Sequence, residues 1–134
     1  MDVINIKTAK EQEIIDITDK VTDIIRDKKV KDGVCFIYSP HTTCGVGINE
    51  GADPSVKIDV INKLNKFIEP DDNYLHTEGN SHSHIKTILC GNSVSIFIED
   101  YRPILGRWQS IYLMEFDGPR NRNLWVKILI NDKI

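Results

Sequence analysis

The sequence predicts an α+β fold: one compact β-rich domain over residues 1–134, with mixed or antiparallel sheets packed as a sandwich and two to three helices. Three observations lead there. Short β-branched and alternating runs recur along most of the chain. Apolar residues follow helical spacing in only a few stretches. No repeat, low-complexity tract or linker divides the sequence, and 134 residues suffice to bury one core without staples.

Residues 3–8 and 13–17 read as two strands joined by a polar turn. Asp16 or Thr18 then caps a helix over 19–29, with Val21, Ile24 and Ile25 apolar and Lys28 and Lys29 at the negative end of the dipole. Residues 33–38 form a continuous apolar run of strand length. The polar segment Ser39-Pro40-His41-Thr42-Thr43 separates it from a strand over 44–48. Asp53 and Pro54 supply a capping carboxylate and a proline at the first helical position. Val56, Val60, Ile61, Leu64, Phe67 and Ile68 continue as one apolar face, the clearest helix in the sequence. Pro70-Asp71-Asp72-Asn73 stops it. Ser81 caps a shorter helix through Ile85, Ile88 and Leu89 to Gly91. Residues 93–99 and 108–116 alternate apolar with polar, and 124–130 closes the chain as a last strand.

Seventeen Lys and Arg against 20 Asp and Glu give a net charge of −3, so no global attraction draws this chain to nucleic acid. The start of the chain lacks the pattern of a signal peptide and no apolar run reaches membrane-spanning length, which predicts a cytoplasmic protein with no membrane partner. Cys35, Cys44 and Cys90 form no CxxC pair and read as reduced thiols. Cys44 stands apart, being close to His41.

All four histidines fall between positions 41 and 84. Imidazole is both a common transition-metal ligand and the side chain most easily set to exchange a proton near neutral pH. His41 precedes Thr42 and Thr43, and His76 precedes Thr77 and Glu78, so orienting partners are close. His82 and His84 are two apart and cannot share a helical face, which makes one of them a spectator. With Ser81 as the cap, His84 lies in the first turn, near free backbone N–H groups suited to an anion.

Asn49, Glu50, Asp53, Asp59 and Glu78 are oxygen donors of the kind that hold magnesium, although Asp53 also has the capping task and Asp59 reads equally as a solvent-facing helix charge. Arg120 and Arg122 follow a turn at Asp117-Gly118-Pro119. Their forks suit phosphate, or salt bridges to Asp117 and Glu115. Trp108 reads as core or interface, and Gln109 beside it can orient a heterocycle.

Taken in order, HTTCGVGINEGADP, HTEGN with HIK, LGRWQ and EFDGPRNR resemble the motifs of the YjbQ family, whose members are named secondary thiamine-phosphate synthases, and the match covers nearly the whole chain. The resemblance implies a homotrimer that acts on a small molecule. It also implies joining of hydroxymethylpyrimidine diphosphate to thiazole phosphate, with release of pyrophosphate. On that reading His41, His84, Glu50 and Gln109 are catalytic, and Thr42, Thr43, Asn49, Asn80, Arg120 and Arg122 bind phosphate. A divalent metal, magnesium or zinc, has His41, His76, His84, Asp53, Asp59 and Glu78 as its candidate ligands. The alternatives are a metal-dependent hydrolase of a phosphorylated or acyl small molecule, and a non-enzymatic trimer that binds a metal or metabolite.

Overall fold

The computed structural model describes residues 1–133. Eight strands and three helices follow one another as β1 (Asp2–Lys7), β2 (Glu13–Asp16), α1 (Thr18–Asp27), β3 (Asp32–Tyr38), β4 (Cys44–Glu50), α2 (Pro54–Phe67), α3 (Ser81–Cys90), β5 (Ser93–Glu99), β6 (Arg102–Pro103), β7 (Gln109–Glu115) and β8 (Asn121–Ile130). Every pairing is antiparallel. One sheet has the order β1-β8-β3-β5-β6 and the other β2-β7-β4, so the two opening strands join different sheets.

Period-2 alternation explains the larger sheet. In β3, Cys35 and Ile37 turn inward, and in β8 Leu124 and Val126 do the same, while Phe36, Tyr38 and Trp125 point out. These inward residues meet Val46, Ile111 and Leu113 of the smaller sheet and Val21 and Ile25 of α1 in one core. β7 departs from the expected alternation. It is buried from Ile111 to Glu115 because its two faces are both covered: Ile111 and Leu113 face the common core, and Tyr112, Met114 and Phe116 form a second cluster with Leu64 and Cys90.

The starts of α1 and α3 differ from expectation, and that of α2 agrees with it. Ile17 occupies the N-cap of α1 without a side-chain bond; Asp16 Oδ1 instead accepts from Thr18 N at 2.9 Å, and the Thr18 hydroxyl accepts from Ile111 N. Asp53 caps α2 as expected, taking Ser55 N at 2.9 Å, with Pro54 next. In α3 the cap position belongs to Asn80 rather than Ser81. His84 N then reaches Asn80 O at 3.4 Å, so His84 lies one step beyond the free N–H groups of the first turn.

Candidate functional site

His41, at the end of the loop that leads out of β3, sits opposite β8. Its Nε2 is 3.0 Å from Asn123 N and 3.1 Å from Asn123 O, so the ring accepts from the amide in one tautomer and donates to the carbonyl in the other. Burial, reinforced by the nearby Arg122 guanidinium, lowers the pKa of His41 below the ordinary histidine value and favours its neutral form.

His84 projects from α3 toward the same place. Two adjoining cavities of about 450 and 360 Å³ share His41, Thr42 and His84 in their walls. Thr87, Gly91 and Asn92 complete one, and Thr43, Glu78, Asn80, Arg120 and Arg122 line the other. His76 stands edge-on to His84 with ring centres 5.4 Å apart, and its Nε2 is 3.7 Å from Glu78 Oε2. Gly91 ends α3 at φ +98, a conformation open to glycine, and its carbonyl accepts from Val46 N, which fixes the cleft wall to β4.

The two arginines differ. Arg122 is 4% exposed and is paired with Glu115, itself fully buried; its Nη2 also donates to Thr43 Oγ1 at 2.8 Å. Glu115 further accepts the Thr8 hydroxyl at 2.7 Å and Asp117 N at 3.2 Å. Arg122 is therefore a brace in the cleft floor, with Nε and Nη2 committed to Glu115 and Thr43 and, as in Arg120, an Nη1 that has no partner among the described residues. Arg120 is exposed at the rim, where Asp117 takes its Nε through the carbonyl and its Nη2 through the carboxylate, and Nη1 has no partner among the described residues.

Two cleft oxygens, Asn80 Oδ1 and Thr87 Oγ1, are buried with no hydrogen-bond partner in the chain. Buried polar atoms are nearly always paired, so each orphan, like Gln12 Oε1 outside the cleft, takes its missing bond from ordered water or from a bound group. Asn80 is held by its other end, Nδ2 donating to Asp117 at 2.9 Å, which leaves the oxygen facing inward as an acceptor.

The remaining expected residues lie elsewhere in the chain. Glu50 and Asn49 end β4, and Gln109 pairs with Glu50 at the start of β7. From Cys44 to Glu50 a strand runs about 20 Å, so this group sits at the far end of β4 from His41. Glu50 Oε2 accepts from Ala52 N and Asp53 N, the Asn49 side chain accepts Glu50 N, and Gln109 Oε1 accepts Gly106 N. Each is used to shape its own loop. Asp53 is engaged in capping, and Asp59 is an exposed position of α2. Among the described residues no three His, Cys, Asp or Glu side chains are arranged in one chain to hold a metal ion.

Cys44 is no nucleophile: burial pushes its thiol up to about 12. His82 turns away from the cleft, as the spacing argument requires of one of the pair, yet it is not at the surface. It is 3% exposed, with Nδ1 2.7 Å from the fully buried Lys86 Nζ, which also donates to Asn65 Oδ1 at 2.6 Å. Lys86, Asn65 and Thr87 carry no signal in the sequence, because a polar side chain in a helix reads first as solvated, whereas Glu115 is legible as a salt-bridge partner of the arginines. Trp108 is exposed under the Arg107 guanidinium at 4.8 Å, outside the core.

The sequence profile described as UPF0047 protein YjbQ-like matches residues 2–131. The chain belongs to the YjbQ family. It is 54% identical over 128 residues to the UPF0047 protein MJ1081 of Methanocaldococcus jannaschii, covering 96% of this chain and 92% of the relative. It is 42% identical to the UPF0047 protein YugU of Bacillus subtilis, over 94% of this chain and 96% of that one. A crystal structure of an uncharacterized YjbQ/UPF0047 protein from Clostridium acetobutylicum superposes with a TM-score of 0.94 at 44% identity, covering 96% of this chain and all (100%) of that one. A conserved hypothetical protein from Thermus thermophilus superposes at 0.90 with 38% identity, over 96% and 100% of the two chains. The two-sheet α+β architecture is thus the YjbQ fold. Among the described residues no helix is long and apolar enough to cross a membrane.

Proposed function

We propose that the cleft between His41 and His84 binds a small phosphorylated substrate and that the protein is a transferase of the thiamine-phosphate synthase type. The observation that carries this reading is convergence: His84, a neutral His41, Thr42, the Arg120 rim and two orphaned oxygens surround one space. In the reaction the thiazole nitrogen forms a C–N bond to the pyrimidine methylene carbon as its C–O bond to diphosphate breaks, and pyrophosphate leaves. The leaving group needs positive charge and hydrogen-bond donors more in the transition state than before it. Arg120 Nη1 and the Thr42 and Thr87 hydroxyls supply donors, and His84 is assigned as the general acid. His41, held toward neutrality, is assigned to positioning.

A second reading, metal-assisted hydrolysis of a small phosphorylated or acyl compound, draws on the adjacency of His76, His84 and Glu78. His76 and Glu78 are exposed and free to turn toward an ion, magnesium or zinc, which would act as a Lewis acid. Elemental mass spectrometry of the purified protein and of His76→Ala separates the readings: stoichiometric zinc lost in the variant favours hydrolysis.

Homotrimer formation belongs to the same proposal. Phe36, Tyr38, Phe97, Trp125 and Leu129 stand on the outer face of the larger sheet, 39–69% exposed, more apolar surface than a lone domain usually shows. Sedimentation at micromolar concentration tests trimer formation, with a monomer mass as the contrary result. The activity test is product formation from the two precursors by the unaltered protein, His84→Ala and Arg120→Ala. A fall of about 100-fold for His84→Ala is expected, and equal rates in all three would remove the cleft from the reaction.

A further inference from the structure

Helix α2 has 14 residues and the clearest apolar face in the sequence, yet none of its residues is fully buried. It bridges over the smaller sheet and touches it at few points. Lys57 lies over the Tyr112 ring at 5.0 Å, Leu64 packs on the cluster of Tyr112, Met114 and Phe116, and Asn65 accepts from Lys86. Beneath the helix is a cavity of about 380 Å³ walled by Val46, Ile48, Val56, Val60, Val94 and Met114. It shares no lining residue with the His41–His84 cleft.

Interiors are close-packed, and apolar walls held apart forgo the dispersion contacts that packing would give. A mostly apolar space of this size with a few polar groups at one end has the character of a ligand pocket. At about 30 Å³ per water-sized group it accommodates roughly a dozen non-hydrogen atoms. Its polar end is asymmetric. The Glu50 carboxylate is turned to the backbone N–H groups of Ala52 and Asp53, whereas the half-buried Lys57 has no carboxylate within ion-pair distance among the described residues. The space therefore presents apolar walls and one cation, Lys57, whose partners are the Tyr112 ring and, beyond ion-pair distance, the Asp16 carboxylate.

We propose that this cavity is a second small-molecule site, taking an amphiphilic carboxylate whose apolar body has about ten carbon atoms. The carboxylate pairs with Lys57 and displaces its ammonium from the Tyr112 ring. The body lies along Val46, Val60 and Met114, under α2.

Decanoate is the probe, with decylammonium as its cationic counterpart, titrated calorimetrically into the full-length protein. One decanoate per chain is expected, bound at least tenfold more tightly than decylammonium and equally well by His84→Ala. Loss of binding in His84→Ala would place the ligand in the other cleft and overturn the assignment. Val60→Trp fills the space and is expected to weaken decanoate at least tenfold with an unchanged or higher melting temperature; undiminished affinity would overturn it. Lys57→Met, which keeps the apolar stem, is expected to abolish the preference for the anion, and a retained preference would contradict the role of Lys57. Absence of decanoate uptake, with Val60→Trp reducing the sedimented mass, would identify the cavity as a contact between copies instead.

Discussion

Arg122 of β8 and Glu115 of β7 meet as a buried ion pair that ties the five-stranded sheet to the three-stranded one. Around it, Thr8 Oγ1 donates to Glu115 and accepts Arg120 N at 2.8 Å, while Thr43 accepts from Arg122. The next residue, Asn123, holds His41. The pair thus positions the loop after β3, the turn before β8 and the cleft between them.

Removing one member of a buried pair strands the other charge in the interior. Arg122→Met and Glu115→Gln are each expected to lose about 3–5 kcal/mol of unfolding free energy. Urea denaturation measures it. The double variant with apolar partners should lose less than the sum of the singles, since these residues share one network.

The lowered pKa of His41, caused first by burial and then by Arg122, makes a pH prediction. Below about pH 6.5 the unfolded chain takes up a proton that the folded chain refuses, so stability falls as pH falls from there toward the folded pKa. His41→Asn should flatten that part of the stability profile, and imidazole NMR should show His41 titrating below the ordinary range.

Lys86 is fully buried beside His82, and burial lowers its pKa from the usual lysine value. The unfolded chain then holds the proton more tightly than the folded one. As pH rises toward about 10.5, the unfolded form loses this advantage and stability increases. Lys86→Met removes the titration, so its stability relative to the unaltered protein should decline as pH rises from the lowered folded-state pKa toward about 10.5.

Thr87→Val tests the orphaned hydroxyl. Replacing an unpaired buried hydroxyl by a methyl group is expected to leave stability unchanged or raised by about 1 kcal/mol. The same change should weaken phosphate-ligand affinity several-fold, a split between stability and binding that a purely structural threonine would not give.

The sequence displays the elements through properties that act locally. A continuous apolar run marks β3, alternation marks β5, and the Asp53-Pro54 start marks α2. What sits beneath α2 is another matter: an apolar face announces burial, and only the three-dimensional path shows that α2 spans a cavity. His41 and His84 are legible as histidines beside hydroxyl and carboxylate groups. Their union with Arg120, across 79 residues, depends on α3 ending at Gly91 and on β8 pairing with β3. Arg122 illustrates the converse, since a guanidinium two residues from Arg120 looks equally available until β8, which begins at Asn121, turns it inward with Leu124 and Val126 onto Glu115 and leaves Arg120 in the turn. Asn49, Glu50 and Asp53 follow soon after His41 in sequence, but a seven-residue strand carries them to the opposite end of the smaller sheet, where Glu50 pairs with Gln109 of β7.

The most direct test of the cleft as a phosphate-ligand site is a titration of the protein with pyrophosphate, followed by the imidazole resonances of its four histidines. Saturable shifts of His84 and His41, an unmoved His82, and affinity reduced about tenfold or more in Arg120→Ala are expected. Shifts absent from His84 and His41, or an affinity indifferent to Arg120, would contradict the account.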